Sequence, residues 1–412
     1  MSTISQIRSI KVLNSRGDWT IKAYLDLNDG SKGWSIVPEG ASKGEQEAVC
    51  LGVDRSFELV RDVITPALLN KEFKSQKEFD EFLINLDGTK NKSKLGGNTI
   101  LSLSVAFARA VSQSQKKEVW NYLRHEFSGI EGVKSQSNLS KVNITPLFNI
   151  LNGGKHAQNK LSFQEFMIIP AKKYQIYDSL EIGRTVYKSL KKRLEKEGFS
   201  TGVGDEGGFA PEEFTVRKAL EYIRDCASEH YKMGEEVFLG MDVAAESFHK
   251  DGKYIIAEEN LELDGGGFKD YLGSLLKDFE IIYLEDVFYE DDAKHWQEVT
   301  KNFGGKTMIS ADDLVVTNPG ILSQAVDKKL ANTVIVKPNQ VGTVWETLKF
   351  VAEARGAGWN VVVSHRSGDT EDPFIADLAF AVGADFVKFG AIDRGERTSK
   401  FNRLLEISTS GL

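Results

Sequence analysis

The sequence has few cysteines, no long apolar run and no long basic run, and each absence excludes a class of protein. Its two cysteines, Cys50 and Cys226, lack the spacing of a metal site or a redox pair. Because MSTISQIRSI has no signal-peptide core and no run is long enough to span a membrane, we expect a cytoplasmic protein. A net charge of −8 without basic clusters argues against nucleic acid and anionic membranes as partners.

The pattern of the 412 residues changes once, and the chain exceeds the usual size of a single core. Short alternating runs such as IKVL and TIKAYLDL precede helical segments such as TILSLSVAFARAV, which predicts a small α+β domain over residues 1–135. The polar segment GVKSQSNLSK at 132–141 has the composition of a linker. From 140 to 412, short apolar runs alternate with amphipathic helices, which predicts an α/β barrel.

Six apolar runs of the second domain end in ionisable residues. The end residues lie 43, 27, 25, 28 and 23 residues apart, and each interval after the first fits one strand, one helix and two loops. Because the carboxyl ends of barrel strands meet at one mouth, we expect these side chains to face one another. The six are Asp242, Glu285, Asp312, Lys337, His365 and Lys388, and Arg366 follows His365.

Carboxylates and lysines at one mouth indicate metal-assisted acid–base chemistry. Asp242, Glu285 and Asp312 form an all-oxygen set, which suits Mg²⁺ better than zinc. Lys337 and Lys388 lie two strands apart, and we expect their repulsion beside a divalent cation to lower a lysine pKa. A lysine tuned in this way can take the proton next to a carboxylate, and the metal can stabilise the resulting ene-diolate.

The segment GVGDEGGFAP at 202–211 contains the spacing of a dinucleotide-binding glycine motif. The helix-like KRLEKEGFS before it, Pro211 after it and the acids Asp205 and Glu206 inside it argue against a phosphate cradle. Two interpretations remain: a solvated surface turn, or a rigid glycine loop that presents its acids to a reaction centre. If the reaction is an elimination, Glu206 is a candidate for the acid that assists the departure of hydroxide.

The sequence resembles the enolase family from SRG at 15–17 to RLLEI at 403–407. The resemblance implies a small α+β domain followed by an enolase-type α/β barrel. It also implies a Mg²⁺-dependent lyase that dehydrates 2-phospho-D-glycerate to phosphoenolpyruvate; a lysine or histidine base with one or two Mg²⁺ is known for this superfamily. The implied partners are this small phosphorylated carboxylic acid and a second copy of the chain. The matching segments include NILNGGKHA, QEFMIIP, TGVGDEGGFAP, GMDVAA, LED, ADD, VTNP, KPNQVGT, SHRSGDTED and KFGA.

Matched position by position, the resemblance assigns roles to the site residues. Lys337 would be the base and Glu206 the acid, with Glu165 beside it and His156 on a loop near the substrate hydroxyl. The ligands of the first Mg²⁺ would be Asp242, Glu285 and Asp312. The residues that bind the substrate's phosphate and carboxylate would be Gln164, Ser364, His365, Arg366, Ser367 and Lys388.

The sequence departs from the family pattern at four places. Family members read PSGAS with a serine that helps to bind a second, substrate-associated Mg²⁺, whereas residues 38–42 read PEGAS, so that Glu39 becomes the candidate ligand. After GMDVAA, Glu246 and Ser247 stand in exchanged order. Lys22 replaces an acidic residue, and the sequence ends at Leu412 without a basic tail residue, so we expect one inter-subunit salt bridge of the dimer to be missing.

These departures leave two alternatives to enolase activity. The first is an enolase paralogue that performs the same proton abstraction on another phosphorylated or phosphonylated carboxylic acid, motivated by Glu39 and by the exchange at Glu246 and Ser247. The second is a catalytically silent binding or regulatory protein that keeps the fold. Carboxylates at three strand ends argue against the second, because a scaffold gains little from clustered negative charge.

Overall fold

The N-terminal part of the chain combines an antiparallel sheet with helices, as predicted. The computed structural model describes residues 2–40, 46–133 and 143–409. The sheet has the strand order β3-β2-β1-β4, and its strands are β1 Ser2–Leu13, β2 Trp19–Leu27, β3 Lys32–Ile36 and β4 Glu72–Phe73. The helices are α1 Val53–Leu59, a π-helical segment Val60–Ile64, α2 Thr65–Leu68, α3 Gln76–Asp87, α4 Gly97–Ser114 and α5 Val119–Ser128.

Helix α4 is the predicted helix at TILSLSVAFARAV, and most of its side chains are buried because it lies between the sheet and the barrel. Its contact with the sheet is close at Gly33, where a Cβ atom would lie 1.8 Å from the Ala106 carbonyl oxygen. Phe107 of α4 stacks on Phe79 of α3 with 4.1 Å between ring centroids. Helix α4 therefore packs directly against one face of the sheet.

The second domain is a closed eight-stranded barrel with the order β11-β12-β13-β14-β15-β5-β6-β7. Beside it lies a small sheet with the order β10-β9-β8. The barrel strands are β5 Thr145–Asn152, β6 Glu165–Pro170, β7 Val237–Asp242, β11 Ile281–Glu285, β12 Met308–Ala311, β13 Thr333–Val336, β14 Asn360–Ser364 and β15 Phe386–Lys388. The strands of the small sheet are β8 His249–Lys250, β9 Lys253–Ile256 and β10 Leu261–Leu263.

Helices cover the outside of the barrel. Among the described residues, no helix combines the length and the apolar character needed to cross a membrane. Short 3-10 helices occupy Gly154–His156, Ala245–Phe248 and Ala257–Glu259. The α-helices are α6 Ile176–Lys196, α7 Val216–Ser228, α8 Gly265–Asp278, α9 Ala293–Phe303, α10 Pro319–Asp327, α11 Pro338–Val341, α12 Val344–Gly356, α13 Phe374–Ala381 and α14 Gly395–Thr409.

Strand β6 runs antiparallel to both of its neighbours, β5 and β7, whereas the other barrel pairs are parallel. The prediction of an α/β barrel is confirmed, and β6, which was not among the six predicted strands, presents its first residue rather than its last to the mouth. Its first residue, Glu165, pairs with Asp242 at the end of β7. The reversal therefore brings Glu165 to the same end of the barrel as the predicted strand-end residues.

The two domains are joined by buried polar contacts. Arg109 of α4 donates to both carboxylate oxygens of Asp372, at 2.9 and 2.6 Å. The backbones of Glu39 and Gly368 exchange hydrogen bonds of 2.8 and 2.9 Å. These contacts hold the N-terminal domain against loops at the mouth of the barrel. The predicted linker falls largely on residues 134–142, which lie outside the described residues.

Candidate active site

A charged cavity lies at the mouth of the barrel, and its lining includes twelve of the fourteen predicted site residues. The two others are Glu285, which is fully buried beneath the cavity, and Glu39. The twelve are His156, Gln164, Glu165, Glu206, Asp242, Asp312, Lys337, Ser364, His365, Arg366, Ser367 and Lys388. Strand ends that are far apart in sequence therefore meet where the sequence predicted.

Carboxylates converge in two overlapping groups whose ligand atoms lie within 4.8 Å of one another. Asp242, Glu285 and Asp286 form the first group, and Asp286, Asp312 and Asp313 form the second. The three predicted Mg²⁺ ligands are therefore divided between two groups that share Asp286. Sequence analysis missed Asp286 and Asp313, although each directly follows a predicted ligand in LED or ADD.

Asp286 joins the two groups through the backbone. Its carboxylate accepts hydrogen bonds from the N–H groups of Asp312, at 3.0 Å, and Asp313, at 3.1 Å. Its own backbone has a φ of 44°, which lies in the left-handed region that aspartate adopts more readily than most other residues. Burial and the neighbouring charges of Asp313 and Asp312 raise the pKa of Asp286 well above its usual value. Asp286 thus fixes the turns that present its neighbours.

Lys388 is the buried cation of the first group. Its Nζ atom lies 2.8 Å from Glu285, 3.2 Å from Glu165 and 3.4 Å from Asp242. Burial alone would lower its pKa, but these three carboxylates raise the pKa well above the usual value. Lys388 therefore stays charged and neutralises part of the negative charge at the mouth.

The carboxylates remain under-neutralised despite Lys388. Burial raises the pKa of Glu285 to about 7 and also raises the pKa of Asp242. Buried oxygen donors that retain excess negative charge suit a hard divalent cation. The acidic groups therefore fit a hard divalent cation such as Mg²⁺, and Asp242, Glu285 and Asp312 stay its predicted ligands.

Lys337 follows β13 and forms an ion pair with Asp312. Burial alone would lower the pKa of Lys337, but the charge of Asp312 raises it. Repulsion from Lys388 and Arg366 lowers the pKa of Lys337, as expected for Lys388, but the carboxylate in direct contact outweighs both cations. A lowered lysine pKa beside a divalent cation stays a prediction.

A ring of hydrogen bonds holds the Lys337–Asp312 pair in place. The backbone N–H of Lys337 donates to Thr317 Oγ1 at 3.0 Å, and this hydroxyl donates to Gln340 Oε1 at 2.6 Å. Gln340 Nε2 then donates to Asp312 Oδ1 at 3.2 Å. Thr317 adopts a φ of 53°, and Val316 before it adopts 42°, which is unusual for β-branched residues. Sequence analysis missed Thr317 and Gln340.

A third group of potential ligands contains Glu165, Glu206 and His156. His156 Nδ1 lies 3.5 Å from Glu165 and 3.4 Å from Glu206. Burial and the charge of Glu206 raise the pKa of Glu165 well above its usual value. Burial opposes ionisation of Glu206 too, but His156 and His365 hold its pKa well below the usual value. The neighbouring charges therefore shift the two pKa values in opposite directions, and the carboxylates titrate as a coupled pair.

The glycine-rich loop at 202–211 connects α6 and α7 and carries Glu206 to the mouth. Phe209 exchanges backbone hydrogen bonds with the end of β5, donating to Ile150 at 3.0 Å and accepting from Asn152 at 2.8 Å. Gly204 packs so closely that a Cβ atom would lie 2.5 Å from the His156 carbonyl oxygen. Glu206 is 2% exposed, so the surface-turn interpretation is wrong for this residue.

Glu206 also has partners that the sequence did not reveal. Asn149 Nδ2 donates to its carboxylate at 3.0 Å, and His365 Nε2 lies 3.2 Å away. Burial is the main cause that lowers the pKa of His365 to about 4, so this imidazole is neutral near pH 7. Asn149 stands on β5, where its sequence signal is a polar residue within the apolar stretch PLFNIL.

The predicted substrate-binding residues reach the cavity by different routes. Arg366 donates to both carboxylate oxygens of Glu47, at 3.2 and 3.3 Å, and to Asn339 at 3.1 Å. Gln164 Nε2 donates to Asp242 at 3.0 Å and so orients a predicted metal ligand. Ser364 Oγ donates to the His365 carbonyl at 3.1 Å. Anion-binding roles for these residues stay predictions.

Glu39 and the exchanged pair lie in different settings. Glu39 is half-buried, and its Oε1 atom accepts from Cys50 Sγ at 3.7 Å rather than lining the cavity. Ser42 of the same PEGAS segment lies outside the described residues. Glu246 and Ser247 are exposed on the 3-10 helix Ala245–Phe248 and line the cavity. The role of Glu39 as a second metal ligand therefore stays a prediction.

Two family models match the chain. Residues 4–123 match the enolase N-terminal domain, and residues 140–410 match the enolase C-terminal TIM barrel domain. Together they span both structural domains, and the buried acidic groups fit the metal dependence of a lyase in this superfamily. The chain therefore belongs to the enolase family.

Proposed function

We propose that this protein is a Mg²⁺-dependent lyase that dehydrates 2-phospho-D-glycerate to phosphoenolpyruvate. The observation that carries the proposal is the position of the base and acid strands in the closed barrel. Three strands separate β13 from β6 in either direction around the ring, so Lys337 and Glu165 lie on opposite sides of the cavity. In an anti elimination of water, the base acts on one face of the substrate and the acid on the other, which this arrangement suits.

Lys337 is the proposed base for the proton next to the substrate carboxylate. In the ion pair with Asp312 the ammonium is favoured, so the lysine cannot accept a proton until the pairing weakens. Asp312 is also a proposed Mg²⁺ ligand, and a carboxylate engaged by a cation stabilises the ammonium less. Asp312 therefore couples the protonation of Lys337 to the binding of metal.

Glu165 and Glu206 form the proposed acid side of the cavity. Glu165 holds the proton of the pair, and Glu206 accepts from Asn149 and faces His365. Donation to the departing hydroxide through Glu206 therefore requires a proton to pass between the two carboxylates. His156 Nδ1 lies within 3.5 Å of both and is suitably placed to relay it.

Mg²⁺ held by Asp242, Glu285 and Asp312 would supply the positive charge that stabilises the ene-diolate. Arg366, Ser367 and Lys388 line the same cavity and supply donors for phosphate and carboxylate groups. The buried walls exclude water from the reacting atoms, which strengthens these electrostatic contacts.

The test is to mix the purified protein with 2-phosphoglycerate and Mg²⁺ and follow the ultraviolet absorbance of the enol double bond. We expect turnover that falls by about 10²- to 10⁴-fold in Lys337→Ala, as for loss of a general base. Lys277→Ala, on the exposed end of α8, is the matched control and should keep full activity. Failure of the wild-type protein to turn over 2-phosphoglycerate while it binds Mg²⁺ would refute the proposal.

The alternative is a family member that acts on another phosphorylated or phosphonylated carboxylic acid. Glu246 and Ser247 favour it, because their exchanged order falls on side chains that line the cavity. Glu39 gives it less support, since its side chain is directed at Cys50. If Glu246→Ser combined with Ser247→Glu, or Glu39→Ser, strongly raises turnover of 2-phosphoglycerate, the alternative is favoured. A loss or no change favours enolase activity.

A homodimer in the cytoplasm without nucleic acid or membrane partners is also proposed. An exposed apolar pair on the N-terminal sheet supports self-association, since Leu13 and Trp19 are register partners and are 53% and 57% exposed. Lys22, which replaces the acidic residue of the family, stacks over Trp34 at 4.6 Å within its own chain. Sedimentation of the protein at several concentrations tests the dimer.

A further inference from the structure

Arg397 of α14 is a fully buried arginine behind the cavity, with 0% of its surface exposed. Its Nη1 atom donates to the Arg366 carbonyl at 2.6 Å, and its Nη2 atom donates to the Ser367 carbonyl at 2.7 Å and the Asp205 carbonyl at 2.9 Å. One side chain therefore joins the loop that carries Glu206 to the loop that carries the predicted anion-binding residues. A buried arginine with so many backbone partners fixes the distance between the two loops.

The same guanidinium also determines which ring nitrogen of His365 carries the proton. Nη1 of Arg397 lies 2.6 Å from His365 Nδ1. A guanidinium only donates hydrogen bonds, so Nδ1 must accept and cannot carry a proton. A neutral imidazole has one N–H group, which is then at Nε2. That atom lies 3.2 Å from Glu206 Oε1.

The opposite tautomer would place two acceptors face to face. If the proton were on Nδ1, it would meet the N–H of Arg397, and the lone pair of Nε2 would face the ionised Glu206 carboxylate. The surrounding backbone leaves little room for the ring to turn away. At Gly390 a Cβ atom would lie only 2.9 Å from His365 Cε1 and 2.7 Å from the Glu206 carbonyl oxygen. Ring orientation and tautomer are therefore set together.

We propose that Arg397 is a positioning residue that holds His365 as the Nε2–H tautomer, so that an N–H group faces Glu206. The inference deepens the proposed function, because it depends on Glu206 acting at the departing hydroxide. Arg397 has no contact with the cavity itself and works through His365 and through the carbonyl of Asp205. A purely structural arginine would brace α14 without controlling the state of His365.

The first experiment is an NMR measurement on the full-length protein with ¹⁵N-labelled histidine, with and without Mg²⁺. His365→Gln identifies the ring signals of His365 among the six histidines. Near pH 7 we expect a neutral ring with the proton on Nε2. A proton on Nδ1, or an imidazolium, would overturn the proposal. This result comes from the wild-type chain and does not depend on any variant that folds poorly.

The second experiment separates positioning from bracing by comparing two arginines of α14. Arg397→Met removes every hydrogen-bond donor of the side chain, whereas Arg397→Lys keeps the charge but loses the planar arrangement of N–H donors. Arg403→Met is the matched control, since Arg403 lies on the same helix as Arg397 and does not line the cavity. It donates to Asp377 of α13 at 2.7 and 3.0 Å. We expect Arg397→Met to give a mixture of His365 tautomers, and Arg403→Met to give the wild-type spectrum. An unchanged spectrum in Arg397→Met would overturn the proposal.

Turnover of 2-phosphoglycerate supplies the third measurement. We expect kcat to fall by about 10²-fold in Arg397→Lys while KM stays within about threefold, because the substrate-binding donors remain. Arg403→Met should keep kcat. Equal losses in both variants would reduce Arg397 to a bracing role and overturn the inference. Expected spectra without any wild-type turnover would refute the proposed function alone, since the spectra need no substrate.

Discussion

Two layers of inward-facing side chains lie one above the other in the barrel, on the same strands, and they differ in chemistry. Residues two positions apart on a strand point to the same side, so each of five strands contributes one residue to each layer. The lower layer is hydrophobic and no more than 1% exposed, and its one polar atom, the Tyr283 hydroxyl, donates to Glu285 at 2.5 Å. The upper layer is polar and no more than 2% exposed except at Lys337. The pairs, lower residue first, are Tyr283 and Glu285, Ile335 and Lys337, Val362 and Ser364, Phe386 and Lys388, and Met167 and Glu165.

The comparison teaches that burial has opposite consequences in the two neighbouring layers. In the lower layer, burial stabilises the fold by removing apolar surface from water. In the upper layer, burial opposes ionisation and raises the pKa of Glu285 and Glu165. A cluster that costs stability and concentrates charge is typical of a functional site. Stability and chemistry are therefore divided between adjacent rows of the same strands.

The largest expected effect on stability comes from the lower layer. Ile335→Ala should reduce the free energy of unfolding by about 2 to 5 kcal/mol, because it leaves a cavity in a closed barrel that cannot collapse. The folded fraction should keep its kcat, since Lys337 lies one layer above. Denaturant titration and turnover are the measurements, with Ile335→Val as the control that costs about 0.5 to 1.5 kcal/mol. Loss of kcat in the folded protein would show that the layers are not separable.

The next effect concerns the upper layer and the metal. At a Mg²⁺ concentration 100 times the dissociation constant, binding should stabilise the wild-type protein by about 2.7 kcal/mol. Glu285→Gln should lose this gain. Without Mg²⁺ above pH 7, the variant should be as stable as the wild type or more so, because it removes a buried charge. The sign follows from the raised pKa of about 7: as pH rises from the usual carboxyl pKa to that value, the unfolded chain ionises before the folded one, so the wild type loses stability over this window and the loss is complete above pH 7.

Thermal unfolding with and without Mg²⁺ measures both parts of this prediction. Glu298→Gln is the control, because Glu298 lies on α9 away from the mouth and pairs with Lys269 at 2.6 Å. It should keep the full gain from Mg²⁺. A metal-dependent gain that persists in Glu285→Gln would place the ion elsewhere.

The upper layer also shows how far sequence reasoning extends. Short apolar runs that end in ionisable residues, at a spacing of about one strand and helix, were enough to predict six barrel strands and the meeting of their ends. The reversal of β6 was missed, because an apolar run does not reveal the direction of its strand. Glu165 reached the mouth only through that reversal, and the family resemblance rather than the strand pattern identified it.

Side chains that act through others were the least predictable. Asn149, Thr317 and Arg397 reach Glu206, Lys337 and His365 across distances set by the folded chain. Their sequence contexts contain no pattern that distinguishes them from ordinary polar residues. Asp286 is different, since its position next to Glu285 was visible, but its role depends on a left-handed turn that the sequence does not announce.

Within the upper layer, the Glu165 and Glu206 pair should respond unequally to neutralisation. Glu206→Gln should cost about 2 to 3 kcal/mol near pH 7, because an ionised carboxylate that accepts from Asn149 loses its charge. Glu165→Gln should cost less, since burial and the charge of Glu206 raise the pKa of Glu165 and the proposed mechanism places the proton of the pair there. Denaturant titration of both variants is the measurement.

The pH dependence sharpens this contrast. The lowered pKa of Glu206 means that its contribution to stability is present above its usual pKa and is lost as pH falls through the folded value. The difference between wild type and Glu206→Gln should therefore shrink at acidic pH. Equal costs for the two variants at pH 7 would contradict the assignment of the proton to Glu165.

The smallest expected effect tests the ring of hydrogen bonds around Lys337. Thr317→Val keeps the shape but removes the hydroxyl that accepts from Lys337 and donates to Gln340, and should cost about 1 kcal/mol. Thr300→Val is the matched control, because Thr300 donates to the Leu330 carbonyl at 2.6 Å away from the mouth. The two variants should unfold alike, whereas only Thr317→Val should lower kcat, since it releases the backbone that positions Lys337. Equal kcat values in the two would mean that the Asp312 contact alone positions the lysine.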